Sequence, residues 1–283
     1  MRGPRTAIVG AGRMGQGIGL ALAAAGWDVT VLARTAKRVP SPLRLLTGAI
    51  PGDVLRQTSL LLIATPDDRI GPAAATLAES GGLGPGHTVL HLSGLLDRSA
   101  LAPLTRTGAA LGSFHPLQTI AEPTTAPDRL RGAFAGIEGD AGALAAGHRI
   151  AAALGMTAVP LAAAAKPLYH AAAVLSANYT TALVGVAEDL AARAGVPADV
   201  AGRMYLPLAL GAARNLSELG VAAALTGPIR RGDVGTIRAH LAALPAEVRP
   251  LYRMLGLAAL ELARKAGLPE ASARAVRDLL ETA

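Results

Sequence analysis

Lys166, His170, Val174 and Asn178 recur at four-residue intervals inside the apolar stretch AAAAKPLYHAAAVLSANY. On a helix each such step drifts by about 40°, so the set spans a stripe about 120° wide. Three polar groups on one stripe of an otherwise apolar helix need a partner: a substrate if the helix lines a cleft, water if it faces solvent. A lysine and a histidine are suited to proton transfer, the amine when desolvation lowers its proton affinity and the imidazole unaided.

A second pattern lies at the start of the chain, in TAIVGAGRMGQGIG. A short β-branched run, Thr6 to Val9, precedes Gly10, Gly12 and Gly15, and IGLALAAAG follows as a helix closed by Gly26. This strand, turn and helix order is the context that a dinucleotide fingerprint requires. The first glycine permits the turn, the second lets backbone approach a pyrophosphate, and the third lets helix pack on strand. The turn residues Gly10, Gly12, Arg13, Met14 and Gly15 are therefore candidate cofactor contacts. The following strand, Asp28 to Ala33, ends in VLARTAKR, without the acidic residue that would bind a ribose 2′-hydroxyl. Arg34, Thr35, Lys37 and Arg38 suit a 2′-phosphate and point to NADP(H) in preference to NAD(H); the alternative is that they only cap the next helix.

The elements that must position these residues alternate. LLLIATPDD reads as a buried strand from Leu60 to Ala64, with Thr65, Pro66 and Asp67 at its ligand-facing end. HTVLHLSG ends a further strand at Ser93 and Gly94, and GAALGSFHPLQT runs into Ser113, Phe114, His115 and Pro116. His87 and His91 share a strand face without a third ligand, so no metal centre is expected. AFAGIEGD and MTAVPL add two strands around the helix AGALAAGHRIAAALG. The count is roughly eight strands in an α/β, doubly wound Rossmann domain over residues 1–160. From Ala162 the pattern turns helical, giving an all-helical domain over 161–283. Its helices are one long run to Gly195, then Pro197–Leu219, Asp233–Leu244, Pro245–Ala266 and Pro269–Leu280.

Composition narrows the class. The 283 residues are 51% hydrophobic and include no cysteine, which excludes disulfides, thiolate metal sites and cysteine nucleophiles. No apolar run reaches the roughly 18 residues of a membrane span, and the N-terminus lacks a signal-peptide pattern, so a soluble cytoplasmic protein without membrane partners is expected. With only 2% aromatic residues there is little for nucleobases to stack on, and nucleic acid is not an expected partner. The net charge of +7 gathers at the N-terminal end: Arg2, Arg5, Arg13, Arg34, Lys37, Arg38, Arg44 and Arg56 face only Asp28 and Asp53 within the first sixty residues. A phosphate-rich ligand would account for this, and so would a solvated basic surface.

The motifs GAGRMG, SFHPLQT, FAGIEGD, KPLYHAAAVLSANY, LPLALGAARNL and LTGPIRRGD carry a resemblance. Together they resemble Rossmann-like oxidoreductases with a C-terminal domain of the 6-phosphogluconate dehydrogenase type, most closely the branch whose C-terminal part is domain of unknown function 2520. Wider relatives include ketopantoate reductases, prephenate dehydrogenases and pyrroline carboxylate reductases. The resemblance implies a lysine and an asparagine facing the nicotinamide, roles open to Lys166 and Asn178, with His170 an alternative for the asparagine. FHP resembles the histidine–proline turn of prephenate dehydrogenases and implies that His115 meets a substrate hydroxyl.

The expectation is an NADPH-dependent reductase of a small keto or imino acid, with 2-dehydropantoate (ketopantoate) as the leading specific substrate. Lys166, beside other cations and partly desolvated, is the first choice of proton donor; His170 or His115 is the second. Asn178 and Ser93 would orient the carbonyl, and Arg230 or Arg231 could clamp a carboxylate unless their loop only caps a helix or pairs with Asp233. Two alternatives stand beside it: a prephenate-like oxidation, and an inert NADP(H)-binding sensor. The apolar helical domain, paired in relatives, implies a homodimer.

Overall fold

The computed structural model describes residues 3–282; Arg2, counted above with the N-terminal basic residues, lies outside them. Among the described residues eight strands form one sheet. They are β1 (Thr6–Val9), β2 (Val29–Ala33), β3 (Arg44–Thr47), β4 (Leu60–Ile63), β5 (Thr88–His91), β6 (Ala110–Pro116), β7 (Phe134–Gly139) and β8 (Thr157–Pro160). The order is β3-β2-β1-β4-β5-β6-β7-β8, parallel throughout except for β6 against β7. Every residue of β1, β4 and β5 is buried, because alternate side chains enter apolar clusters on both faces: Ile8 and Leu62 on one, Ala7, Val9, Leu61 and Ile63 on the other.

The chain leaves β1 toward β2 and β3, then crosses to the other side at β4. That reversal makes a switch point between β1 and β4, where open α/β sheets hold their ligands. Register keeps the strand ends level: Val9 lies beside Ile63, Ile63 beside His91, and His91 beside Ser113. The residues just past those positions therefore lie in one row. β6 continues beyond the row and pairs antiparallel with β7, setting Ser113 opposite Glu138 and His115 opposite Gly136.

Three readings of the sequence are corrected. The strand Arg44–Thr47 has no counterpart among the segments named from the sequence; it is a four-residue edge strand with no buried residue and polar residues at both ends. The helix expected from Ala162 onward is two, Lys166–Ser176 and Asn178–Arg193, interrupted at Ala177. The Thr180 hydroxyl donates to the Ser176 carbonyl there, a side-chain bond of the kind that bends helices. The helix expected over Pro197–Leu219 divides into Ala198–Met204 and Leu206–Leu219, because Pro207 has no N–H to continue the ladder.

Contacts divide the chain into two compact units, with the boundary between Thr180 and Thr181. The change in residue character near residue 160 precedes that boundary by the helix Lys166–Ser176, whose lysine enters the core of the first unit. In the second unit the helices Val234–Ala243, Arg249–Lys265 and Glu270–Glu281 enclose a small core that includes Ile237, Leu260, Val276 and Leu280. No helix among the described residues is long and apolar enough to cross a membrane.

Candidate active site

The glycine turn follows β1. Gly10 has φ +120°, and a Cβ there would lie 2.6 Å from the Ala64 carbonyl oxygen. A Cβ on Gly15 would collide with the Gly10 carbonyl oxygen, so both positions are closed to any side chain by their own backbone neighbours. Gly12 differs: nothing lies within 4 Å of a Cβ placed there. It precedes the helix Arg13–Ala24, whose first turn has no side-chain cap and no acidic residue. Unpaired N–H groups there face open space, the arrangement that receives an anion. Arg13 is exposed beside them, and Met14 packs inward against the apolar cluster. Past β4, the Thr65 Oγ1 is buried without a hydrogen-bond partner. Arg34, Thr35, Lys37 and Arg38 are exposed beyond β2, and among the described residues no carboxylate pairs with the three cations. Pro66 precedes the helix that Asp67 opens, and the Asp67 Oδ2 accepts the Ser93 hydroxyl at 2.9 Å.

Behind the neighbouring strand ends lies a buried lysine. Lys166 is 0% exposed, and its Nζ donates to the Ser113 Oγ at 2.8 Å and to the Ser93 carbonyl at 3.1 Å. An ammonium has three N–H groups, so one is left without a protein acceptor. Ser113 in turn donates to the Glu138 Oε2 at 3.2 Å, which also accepts the Arg98 N–H at 2.9 Å. Burial lowers the proton affinity of Lys166, opposed by Glu138, Asp97 and Asp67. Desolvation is therefore the cause, and the flanking cations expected from the sequence are replaced by carboxylates. Burial raises the pKa of Glu138, opposed by Lys166. Ser93 is not free to orient a substrate as expected: its Oγ donates to Asp67 and accepts the Leu95 and Leu96 N–H groups at 3.1 and 3.0 Å.

Gly94, next to Ser93, packs against two imidazoles. A Cβ on Gly94 would lie 2.6 Å from the His170 ring and 2.8 Å from that of His115, so only glycine lets both imidazoles approach. The two rings are edge to face with centroids 5.8 Å apart, and His115 Nδ1 is hydrogen-bonded to the Tyr169 hydroxyl at 3.0 Å. Burial brings the pKa of His115 down to about 4 and pushes that of Tyr169 up to about 12. His115, Gln118, His170, Val174 and Asn178 line a groove, so the last three positions of the stripe read from the sequence share a surface despite the helix break, whereas Lys166 is buried and does not line it.

His87 and His91 are each tied to backbone: His87 to Gly84 and Leu55, His91 to Asp97 and Ser93. Arg230 and Arg231 belong to the second unit. There Arg230 donates to the Ala266 carbonyl at 2.9 Å, and Arg231 is exposed near Asp233, which caps the next helix through Thr236. Glu138 and Tyr169 were not singled out from the sequence, and Ser113 and Gly94 were named only as strand-end residues without a role. For Glu138 a signal existed, a carboxylate in the middle of the apolar run AFAGIEG.

Residues 2–116 match the model of a Rossmann-like domain, and residues 133–259 match that of a domain of unknown function, DUF2520. No curated protein matches the chain. Among solved structures, the Thermotoga maritima protein TM1727 is 23% identical, with a TM-score of 0.69 over 92% of this chain and 99% of its own. A candidate NADP oxidoreductase from Bacteroides fragilis, BF3122, is 23% identical, with a TM-score of 0.68 over 90% of this chain and 97% of its own. The Plasmodium falciparum pyrroline carboxylate reductase, solved with NADP bound, is 10% identical, with a TM-score of 0.60 over 99% of this chain and 100% of its own. These likenesses run along nearly the whole chain and concern its fold.

Proposed function

Because the chain joins a Rossmann-like domain to a DUF2520 domain, we propose that it is an NADP(H)-dependent oxidoreductase reducing a small keto or imino acid, with 2-dehydropantoate the first substrate to test. The observation that carries this reading is the fully buried Lys166, with one N–H left without a protein acceptor, one helical turn before His170 of the groove. Taking an ammonium out of water is costly, and here that cost maintains a proton donor at the strand ends.

The residues present fit the cofactor. The open space at Gly12, the uncapped helix start and the unpartnered Thr65 hydroxyl suit a pyrophosphate. Arg34 and Arg38 would grip a 2′-phosphate bidentately, with Lys37 adding charge and Thr35 a hydroxyl. Neighbours solved with NADP or NADPH, among them the Plasmodium reductase and an Aspergillus terreus reductive aminase 20% identical to this chain, support the same choice.

When bound, NADPH supplies the hydride. Lys166 donates the proton to the oxygen or nitrogen that gains charge, and its positive charge stabilises that atom beforehand. His115 and His170 shape the groove wall, Gly94 lets both imidazoles pack against the backbone after β5, and Gln118 and Asn178 offer hydrogen bonds to the substrate. Asp67 fixes Ser93, so that the Ser93 carbonyl remains aimed at Lys166.

The working form is a two-fold homodimer. This rests on the helix Leu206–Leu219, in which no residue is buried although Leu208 is 69% and Leu210 60% exposed. A screen of keto and imino acids followed by NADPH absorbance, with ketopantoate included, tests the assignment. Turnover with at least one of them is expected; tight NADPH binding with no turnover would favour an inert sensor.

A further inference from the structure

Among the described residues, the buried polar side chains other than threonines are His91, Ser93, Ser113, Glu138 and Lys166. All five belong to one connected path. Lys166 donates to Ser113 and to the Ser93 carbonyl, Ser113 donates to Glu138, and the Ser93 N–H donates to His91 Nδ1. Threonines aside, the first unit thus concentrates its buried polar side chains around a single lysine.

The choice of cation is informative. The chain has 27 basic residues, of which only Lys37, Lys166 and Lys265 are lysines. The other two are exposed. An arginine at the buried position could not give up a proton, whereas a lysine amine titrates when desolvated. Glu138 supplies a carboxylate on this path: it is 5% exposed, sits opposite Ser113 in the β6–β7 register, and is held from its other side by the Arg98 N–H. Asp67, His91, Asp97 and His115 are the remaining titratable groups acting on Lys166. Of these, Asp67 is exposed and bonded to Ser93, Asp97 caps Ser99, and burial holds both imidazoles neutral near pH 7.

We propose that Glu138, acting through the Ser113 hydroxyl, is the positioning residue that keeps Lys166 protonated and aimed between Ser93, just past β5, and Ser113 within β6. The inference rests on Lys166 being the proton donor, but its test does not depend on turnover. With lysine labelled at 13Cε, the protein gives three lysine signals, assigned by Lys37→Arg and Lys265→Arg. Glu138→Gln should lower the Lys166 midpoint by about one pH unit or more, a tenfold loss of proton affinity. Glu138→Asp, which retains the charge, should recover at least half of that shift. A Glu138→Gln protein with a native backbone spectrum and a Lys166 midpoint within about 0.3 units of the unsubstituted protein would overturn the proposal. If Glu138→Gln does not fold, Ser113→Ala takes its place: a lowered midpoint is expected, and an unmoved one overturns the proposal. Lys166→Ala with full turnover would instead defeat the donor assignment, whatever the titration shows.

Discussion

The strands of the first unit and the helices from Asn178 to Ala224 draw on the same aliphatic residues and treat them oppositely. β1, β4 and β5 bury every residue, whereas the helix Leu206–Leu219 buries none and Asn178–Arg193 buries only Ala191. Apolar content therefore does not fix burial; a facing element does. In the sheet, helices on both faces complete the layers, and the buried ionisable groups gather around one lysine and its carboxylate. Along Leu206–Leu219 the leucines remain uncovered, and a second copy of the chain is the partner proposed to cover them. Each leucine so covered contributes about 1 to 2 kcal/mol.

The contrast yields experiments that would sharpen or break it. The largest effect is expected at the glycine turn. Gly12→Asp should fold, since its Cβ meets nothing and Asp is a good helix cap, but its carboxylate would stand in the anion's place. NADPH affinity measured by calorimetry should fall by about 100-fold or more; unchanged affinity would remove the turn from the cofactor site. Next in size is the exposed helix face. Leu208→Glu with Leu210→Glu should weaken self-association by tens of fold, roughly 2 kcal/mol, without changing the circular dichroism spectrum. Light scattering should then move from a dimer toward the 28.4 kDa monomer, and a native protein already at that mass would cancel the dimer.

A smaller effect belongs to the end of β2. Native protein should bind NADPH at least about tenfold more tightly than NADH, and Arg34→Asp should narrow or invert the ratio. Equal native affinities would defeat the 2′-phosphate assignment. The smallest concerns pH. His91 and His115 are held down at about 4 from an unfolded value of 6.5, so the unfolded chain binds more protons than the native one within that window. Stability is fully present above pH 6.5 and is lost as pH falls toward 4. Calorimetry should show the melting temperature declining by roughly 5 °C across this range, less steeply in His115→Gln; parallel slopes would mean that His115 is not buried neutral.

What could be read beforehand follows from how local each feature is. The glycine turn was legible because its spacing is dictated by collisions within a few residues and the strand beside them, Gly15 against Gly10 and Gly10 against Ala64. The alternation of strands and helices up to residue 160, and the helical remainder, were legible for the same reason. The stripe of Lys166, His170 and Asn178 was visible as periodicity, but not what surrounds it. Lys166 meets Ser93 and Ser113 across 73 and 53 residues of sequence, and no periodicity encodes such pairings. That distance also hid the carboxylates that replace the expected cations. Edge strand Arg44–Thr47 and the break at Ala177 escaped because four half-polar residues, and one alanine in a run without proline or glycine, leave no local mark.

The most direct test of the central claim, that the buried lysine drives the chemical step, is Lys166→Ala assayed for NADPH turnover with cofactor affinity measured in parallel. The account predicts affinity within about twofold of native, because the lysine is not among the glycine-turn and β2-end residues assigned to the cofactor, together with a fall in turnover of about 100-fold or more. Native turnover in Lys166→Ala would contradict it, and if His170→Ala then abolished activity, the donor would be the imidazole one helical turn further along.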